Sequence, residues 1–211
     1  MIWIAGVCAI TLVICMPLYL HYKRALRYHL ACSYKITGSL CAFLLALIAA
    51  IKLDPRCYIC AGAILFYAIA DYILEYNFML GAGFFLAGHI CNIAFFLNLA
   101  QISVLHLVCL LLMGAMLAIV LYNWRKPVGK QMPMFIVYGL SLLFMCVCAV
   151  GCFTLNSTSG ILFACGGALF YLSDAMLLRR TLFPSNISLS WCIMITYYSS
   201  VLLFGIGCLQ L

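Results

Sequence analysis

The chain has 211 residues, of which 69% are hydrophobic and 7% are charged, with a formal net charge of +7. Soluble domains carry roughly 25% charged residues, so this composition excludes a soluble enzyme, a disordered chain and a typical nucleic-acid-binding domain. The basic residues fall in short clusters between apolar runs, a pattern typical of proteins that cross a membrane several times. We therefore expect an all-α, polytopic membrane bundle embedded in a lipid bilayer, with no nucleic-acid partner.

Apolar runs that approach the length needed to cross a bilayer, about 20 residues, recur along the whole chain. The sequence predicts eight transmembrane helices, at residues 2–20, 36–51, 57–75, 79–98, 102–122, 133–153, 160–178 and 189–209. The second run is short, and we expect it to extend toward Tyr34. Because the loops are brief, we expect a single integral membrane domain over residues 1–211, with neighbouring helices antiparallel.

The loops on the two sides of these spans differ in charge. One set holds nine basic residues: Lys23, Arg24, Arg27, Lys35, Arg125, Lys126, Lys130, Arg179 and Arg180. The other set holds only Lys52 and Arg56. Basic loops stay in the cytoplasm, so eight spans predict that both termini lie on the exoplasmic side. The first span has basic residues after it and none before it, which favours a retained helix over a cleaved signal.

Two segments of the chain resemble each other. Residues 67–74 and 170–177 share the pattern aromatic, any residue, aliphatic, small, Asp, any residue, aliphatic, Leu. The two aspartates, Asp71 and Asp174, lie about half the chain apart. This predicts two four-helix halves, residues 1–100 and 101–211. An even number of spans in each half makes the repeat parallel, so both aspartates lie near the cytoplasmic ends of their helices.

Three acidic residues lie in or at the edge of the predicted spans: Asp71, Glu75 and Asp174. An ionisable group inside a membrane helix costs at least about 2.5 kcal/mol, and such groups usually face the bundle interior at a functional site. Asp71 and Glu75 are four residues apart and share one helix face. Two neighbouring carboxyl groups in an apolar setting do not both ionise easily, so we expect one to keep its proton. Alternatively, these groups have only a structural role, in which they pair with a lysine, bind a tyrosine hydroxyl or cap a helix end.

Other polar side chains in the spans are candidates for supporting roles. His89 lies in the middle of the fourth span, and Asn92 follows it by about one turn. Either a satisfied core position or a functional site would explain His89. Tyr197 and Tyr198 fit either a site or an interfacial aromatic belt, and Lys35 fits either a site or an ordinary positive-inside residue.

The sequence does not favour a metal centre or a cofactor site. Cys57 and Cys60 form a Cys-x-x-Cys, but no second pair lies at a metal-ligand spacing, and helix packing explains them. The four histidines are too far apart in the sequence to suggest a cluster. No phosphate loop, nucleophile elbow or His-Glu-x-x-His is present. We expect no metal and no organic cofactor.

Several of these stretches match the motif order of a known family. They are Lys35 at the start of the second span, residues 70–74, residues 78–89, residues 170–174, and Thr196-Tyr197-Tyr198. Together they resemble the YhhN-like lysoplasmalogenase family of eight-helix membrane proteins, from about residue 30 to 205. The sequence departs from the family pattern at Ile36 in place of proline, Ala70 in place of glycine, Asn92 in place of a common tyrosine, and Ser200-Val201 where a glutamine often follows the tyrosine pair.

The resemblance implies a lysoplasmalogen hydrolase, which cleaves the vinyl ether at the glycerol sn-1 position. Its substrate is a lysophospholipid, and its products are a fatty aldehyde and glycerophosphoethanolamine or glycerophosphocholine. Vinyl ether hydrolysis proceeds through an oxocarbenium ion, so it needs one protonated and one ionised carboxyl group, as in glycosidases. Asp71 and Asp174 are predicted to fill these catalytic roles, in either order. Supporting or substrate-binding roles are predicted for Lys35, Glu75, His89, Asn92, Ser173, Tyr197 and Tyr198, with Lys35 holding the substrate phosphate.

Two other function classes fit the same composition. A small transporter would also place acidic groups inside parallel repeats, and a non-catalytic protein would bind the lipid without turnover. The acidic groups gather toward one end of the predicted spans, and the opposite halves of the third and seventh spans are apolar. A transport path needs polar residues through the whole bilayer, so this distribution favours the enzyme.

Overall fold

The computed structural model describes residues 2–211, which form helices and no strand. In chain order the α-helices are α1 (Ile2–Ala9), α2 (Met16–Arg24), α3 (Tyr28–Lys52), α4 (Cys57–Ile73), α5 (Phe78–Leu99), α6 (Val104–Val128), α7 (Met132–Gly151), α8 (Thr158–Leu182) and α9 (Ile187–Cys208). A π-helical segment, Ile10–Cys15, joins α1 to α2 without a break. It lies just before Pro17, whose missing N–H disturbs the α-helical hydrogen bonds at that point. The all-α fold class is confirmed.

Six helical stretches are long and apolar enough to cross a membrane. They are Trp3–Arg24, Tyr28–Lys52, Phe78–Leu99, Val104–Leu155, Thr158–Leu182 and Ile187–Cys208. Cys57–Ile73 is also apolar but is shorter than the others. A multi-pass membrane protein is therefore supported, while the count of eight crossings stays a prediction.

The longest of these stretches, Val104–Leu155 with 52 residues, folds back on itself. The chain turns at Gly129, whose φ of 57° and ψ of −129° suit glycine alone. On either side of the turn α6 and α7 pack closely: a Cβ added to Gly139 would lie 3.0 Å from Leu117, and one added to Gly114 would lie 3.6 Å from Leu143. The two contacts pair earlier residues of α6 with later residues of α7, so the helices are antiparallel.

Side-chain caps fix the starts of several helices. The Asn77 side chain accepts a hydrogen bond from the Leu80 N–H at the start of α5, and Ser157 does the same for Gly160 at α8. Such caps satisfy N–H groups that the first helical turn leaves unpaired. Most observed boundaries lie within a few residues of the predicted ones. The exceptions are α3, which begins at Tyr28 and not at residue 36 or Tyr34, and α6, which continues to Val128 instead of ending near residue 122.

The helices pair as two similar halves would. In the first half α2 packs on α3, α3 on α4 and α4 on α5; in the second half α6 packs on α7, α7 on α8 and α8 on α9. Between the halves α3 packs on α9, and α7 packs on α5. This pattern is the one that a parallel repeat would produce, but the repeat itself stays a prediction.

The directions of α4 and α8 follow from their contacts with α9. Cys57 at the start of α4 hydrogen-bonds the Cys208 carbonyl at the end of α9, and Asp71 near the end of α4 is bound by Tyr197. Consequently α4 is antiparallel to α9. α8 is also antiparallel to α9, because a short turn joins these two tightly packed helices. α4 and α8 therefore run in the same direction.

One end of the bundle, which we call the basic end, collects the basic loops. There α2 and α4 end together, because Lys23 pairs with Glu75 just beyond α4. α6 and α8 also end together, with the Trp124 and Phe183 rings 5.5 Å apart. At the opposite end Arg56 pairs with Asp54, and its hydrogen bonds lower the pKa of that half-buried carboxyl.

Candidate active site

Asp71 lies in the last turn of α4, enclosed by α3 and α9. Ser39 of α3 and Tyr197 of α9 both donate hydrogen bonds to its Oδ2, at 2.5 and 2.8 Å. The ammonium nitrogen of Lys35 lies 3.4 Å from its other oxygen. Asp71 is 1% exposed. Two hydroxyl donors and one cation therefore surround this buried carboxyl group.

Lys35 connects Asp71 to a second carboxylate, Glu75. Its Nζ lies 3.4 Å from Glu75 Oε1, and Lys23 binds Glu75 more closely, at 2.7 Å. Tyr19 donates a further hydrogen bond to the same carboxylate at 2.8 Å. We call this group of side chains the lysine network. Lys35 is buried and shared between two carboxylates, so the structure gives it partners other than the predicted substrate phosphate.

Asp174 has a different environment on α8. Tyr138 of α7 donates a hydrogen bond to its Oδ2. No cation of the described residues lies within salt-bridge distance of it. The hydroxyl of its neighbour Ser173 points toward α9 and donates a hydrogen bond to the Ile193 carbonyl at 3.2 Å. Ser173 therefore ties α8 to α9 and does not bond Asp174.

The two aspartates occupy corresponding places on parallel helices. The rings of Tyr67 and Phe170 are in contact, with centroids 5.0 Å apart. Asp71 and Asp174 each follow one of these aromatic residues by four positions, which is about 6 Å along a helix. Both carboxyl groups therefore lie on the same side of this aromatic contact, toward the basic end. The structure brings them to one region, without a direct bond between them.

His89 belongs to a separate buried cluster, deeper in the bundle. Its Nδ1 is 3.0 Å from the Tyr67 hydroxyl, to which the Asn92 side-chain amide donates at 3.0 Å. The tautomer of His89 decides whether Nδ1 or the Tyr67 hydroxyl is the donor of this bond; when the hydroxyl donates, the proton of the neutral imidazole lies on Nε2. His89 Nε2 and Asn92 Oδ1 have no hydrogen-bond partner among the described residues. Neither side chain bonds an aspartate, although the His89 ring lies 5.5 Å from the ring of Tyr138.

The two predicted tyrosines of α9 have different contacts. Tyr197 binds Asp71, whereas Tyr198 donates to the Lys35 carbonyl at 2.9 Å. A Cβ on Gly38 would lie 2.7 Å from the Tyr198 ring, so this ring fills the contact between α3 and α9. Both tyrosines are buried inside the bundle. An aromatic belt at the membrane interface would need rings exposed to the lipid headgroups, so these two tyrosines do not form one.

A narrow apolar groove lies beside Asp174, between α5, α6, α7 and α8. Its walls are almost entirely aliphatic and aromatic; α6 contributes Met116, Leu117, Val120 and Leu121. Asp174 and Tyr138 are part of the lining. Asp71 is not part of it, because Tyr197, Ser39 and Lys35 surround that carboxylate. Of the two aspartates, Asp174 is thus the one exposed to a ligand in the groove.

Sequence reasoning missed several residues of the site. They are Tyr19, Lys23, Ser39, Tyr67 and Tyr138. Tyr138 had a detectable signal, because it precedes Asp174 by 36 residues and Lys35 precedes Asp71 by the same spacing. Comparing the two halves at that spacing would have aligned Lys35 with Tyr138.

Metal-binding side chains do not converge in the described part of the chain. No three His, Cys, Asp or Glu side chains lie close enough together there to hold a metal ion. Cys57 donates to the Cys208 carbonyl, a contact between helices. The reactive groups near the groove are therefore carboxyl and hydroxyl groups.

Comparison with known proteins places the chain in a family. No curated protein and no solved structure matches it. The model of the YhhN family matches residues 30–207, which is most of the chain. The matched part includes both aspartates, the apolar groove, and the lysine network except for Tyr19 and Lys23. The chain belongs to the YhhN family.

Proposed function

We propose that the protein is a lysoplasmalogenase-type ether hydrolase, which cleaves the sn-1 vinyl ether of lysoplasmalogens. Membership of the YhhN family supports a hydrolase of this kind. The observation that carries the proposal is the position of Asp174, a carboxyl group on an apolar groove next to a second, separately stabilised carboxylate. A groove of this lining suits a single lipid chain, and the carboxyl group supplies the acid that vinyl ether cleavage requires.

The surroundings of the two aspartates suggest their roles. A charged carboxylate in apolar surroundings is costly unless a cation or several donors accompany it. Asp71 has Lys35, Ser39 and Tyr197, whereas the only hydrogen bond to Asp174 within the described protein comes from Tyr138. We therefore assign the proton donor to Asp174 and the permanent negative charge to Asp71.

The reaction then balances with one water. Asp174 transfers its proton to the alkenyl carbon distal to the ether oxygen, and an oxocarbenium ion forms. The negative charge of Asp71 stabilises this cation through space. Water adds to the carbon bonded to oxygen and returns a proton to Asp174. The resulting hemiacetal breaks its carbon–oxygen bond to the glycerol and gives the aldehyde and glycerophosphoethanolamine or glycerophosphocholine.

His89 and Asn92 are assigned to the water. Their unpartnered atoms are His89 Nε2 and Asn92 Oδ1. In the tautomer with its proton on Nε2 these are one donor and one acceptor, which is the pair that a bridging water needs. The His89 ring lies 6.4 Å from the Phe85 ring and 5.5 Å from the Tyr138 ring. Both aromatic residues line the groove. A water bound by His89 and Asn92 would therefore lie next to the groove, separated from it by these two side chains.

The test is a turnover assay on purified protein in a maltoside detergent. Lysoplasmenylethanolamine and the matching ester lysophospholipid are supplied separately, and aldehyde and free fatty acid are measured by mass spectrometry. We expect aldehyde only, and a loss of about 10²- to 10⁴-fold in Asp174→Asn, as for removal of a general acid. Asp71→Asn should also lose most of its activity. Asp54→Asn is the matched control, because Asp54 lies at the opposite end of the bundle.

Two results would contradict the proposal. Normal turnover in Asp174→Asn would remove the assigned acid. No aldehyde from the unmodified protein would remove the reaction itself. The same lipids would then decide between the alternatives, because bound lipid without turnover indicates a non-catalytic lipid-binding protein and movement between liposome leaflets indicates a transporter.

We also propose that the basic end faces the cytoplasm. The nine basic residues of the predicted cytoplasmic loops exceed the two of the other set, and this asymmetry sets orientation. With eight crossings, both ends of the sequence lie on the exoplasmic side. Reporter fusions in successive loops test the arrangement, since reporters in the α6–α7 turn and after α8 must give the same signal.

A further inference from the structure

The groove leads from Asp174 toward the basic end. Along α8 its lining runs from Tyr171 through Asp174 to Thr181. Thr181 is seven residues beyond Asp174, a rise of about 10 Å along a helix. Leu121 of α6 and Met134 of α7 also line the groove, and both lie close to the α6–α7 turn.

The α6–α7 turn places cations at this end of the groove. Arg125 follows Leu121 by one helical turn and lies on the same face of α6. Its guanidinium stacks on the Tyr122 ring, 4.0 Å from the centroid, which restricts its position. Lys130 precedes Met134 by one turn, and Arg125, Lys126 and Lys130 are all exposed.

No acidic residue neutralises these three cations. In the ion pairs of the described residues the cations are Lys23, Lys35 and Arg56, and none of these lies in the α6–α7 turn. Arg180, at the end of α8, is turned toward Ser190 of α9 instead. The turn therefore keeps an uncompensated positive charge next to the groove, unlike the enclosed lysine network.

We propose that Arg125 and Lys130 bind the phosphate of a single-chain phospholipid whose hydrocarbon lies in the groove. This inference rests on the proposed function for the identity of the chain. In a lysoplasmalogen seven covalent bonds separate the alkenyl carbon that accepts the proton from phosphorus, an extended length of roughly 9 Å at ordinary bond lengths. A substrate with its vinyl ether at Asp174 would thus have its phosphate near the level of Thr181, within reach of the two long cationic side chains.

Membrane topology offers a different explanation of the same charges, because basic loops are expected on one side of any multi-pass protein. The two explanations differ in a measurable way. An orientation signal depends on how many cations a side carries, whereas a phosphate site depends on these particular two. Arg27 is the matched control, because it is an exposed cation of the basic end that lies in the α2–α3 turn.

The experiment measures binding and needs no turnover. The protein contains three tryptophans, and Trp124 adjoins Arg125. Replacing Trp3 and Trp191 by phenylalanine leaves Trp124 as the only tryptophan, which is excited selectively at the red edge of the absorption band so that the tyrosines do not contribute. The probe is a 1-O-alkyl lysophosphoethanolamine with a nitroxide on its headgroup nitrogen, which quenches a nearby tryptophan and has no vinyl ether to cleave. An alkylglycerol with the same nitroxide and no phosphate is the paired probe.

We expect the phosphorylated probe to quench Trp124 at lower concentration than the paired probe. Arg125→Gln and Lys130→Gln should each weaken its binding about fivefold, the effect of about 1 kcal/mol per cation. Neither substitution should change binding of the uncharged probe, and Arg27→Gln should change neither. Millimolar inorganic phosphate should not displace the probe.

Equal binding of both probes, or equal effects of Arg27→Gln and Arg125→Gln, would overturn the proposal. Displacement by inorganic phosphate would also overturn it, because the turn would then be a site for the free anion. The outcome is distinguishable from failure of the proposed function. A protein that prefers the phosphorylated probe but releases no aldehyde keeps the site and loses the reaction, and one that releases aldehyde without this preference does the opposite.

Discussion

Lys35 offers the sharpest test of the electrostatics around Asp71. The substitution Lys35→Met removes the ammonium group and keeps a side chain of similar length. At 3.4 Å and an effective dielectric constant of about 20, the attraction between Lys35 and Asp71 is about 5 kcal/mol. Part of this offsets the cost of burying both charges. Removing one member of a buried pair typically destabilises a protein by about 3–5 kcal/mol, because the other charge is left alone.

The expected result is a large loss of thermal stability in detergent, on the order of 10 °C for a chain of this size. A thiol-reactive dye can follow unfolding, because the cysteines are free and many are buried. The partner variant is Lys35→Met combined with Asp71→Asn, which leaves neither charge of the pair. The double variant should recover at least about 2 kcal/mol relative to Lys35→Met alone. Glu75 keeps its ion pair with Lys23 in both variants, so the contribution of Glu75 to stability cancels when the two are compared.

If the double variant is as unstable as Lys35→Met, the reasoning is refuted, since the loss then comes from packing and not from the unpaired carboxylate. Methionine preserves most of the buried volume, so a packing effect alone should be small. Comparison with Asp71→Asn alone completes the cycle and isolates the coupling between the two side chains.

Two further substitutions test other parts of the site. Gly88→Ala should destabilise the protein by about 1–3 kcal/mol, because its Cβ would come within 2.3 Å of the Tyr67 ring. Gly83→Ala on the same helix meets nothing within 4 Å and should be neutral or stabilising in the same melting assay, so equal effects of the two would contradict the packing described here. Tyr138→Phe removes the hydrogen bond to Asp174 and should lower kcat by about tenfold or more, as estimated from a net loss of about 1.5 kcal/mol for a bond to an ionisable group. An unchanged kcat would mean that Tyr138 does not position the acid.

The helices were largely predictable because apolar runs determine them. Residues 79–98 were predicted for the fourth span, and α5 covers Phe78–Leu99. Hydropathy indicates where the chain is apolar, however, and not where a helix ends. α6 therefore continues past its apolar run to Val128, through Arg125 and Lys126, whose long side chains extend to the polar region while the backbone stays helical.

The site was predictable only in part. The internal repeat was sufficient to single out Asp71 and Asp174, and the structure brings both to one region. Their partners depend on how the helices cross, which a single sequence does not contain. Lys35 therefore lies between two carboxylates instead of free at a surface, and His89 bonds Tyr67 instead of an aspartate.

The short length of α4 has a consequence for the surrounding lipid. Its 17 residues rise about 26 Å, less than the hydrocarbon thickness of about 30 Å in an ordinary bilayer. If α4 crosses the bilayer, as the eight-span prediction has it, a span this short would make the bilayer thin locally or draw the polar end of the helix below the headgroup plane. Asp71 and Glu75 stand at that end, so the mismatch would create a dimple in the leaflet beside them. A lipid in the dimple has less distance to travel between the bilayer and the protein than it would at a helix of full length.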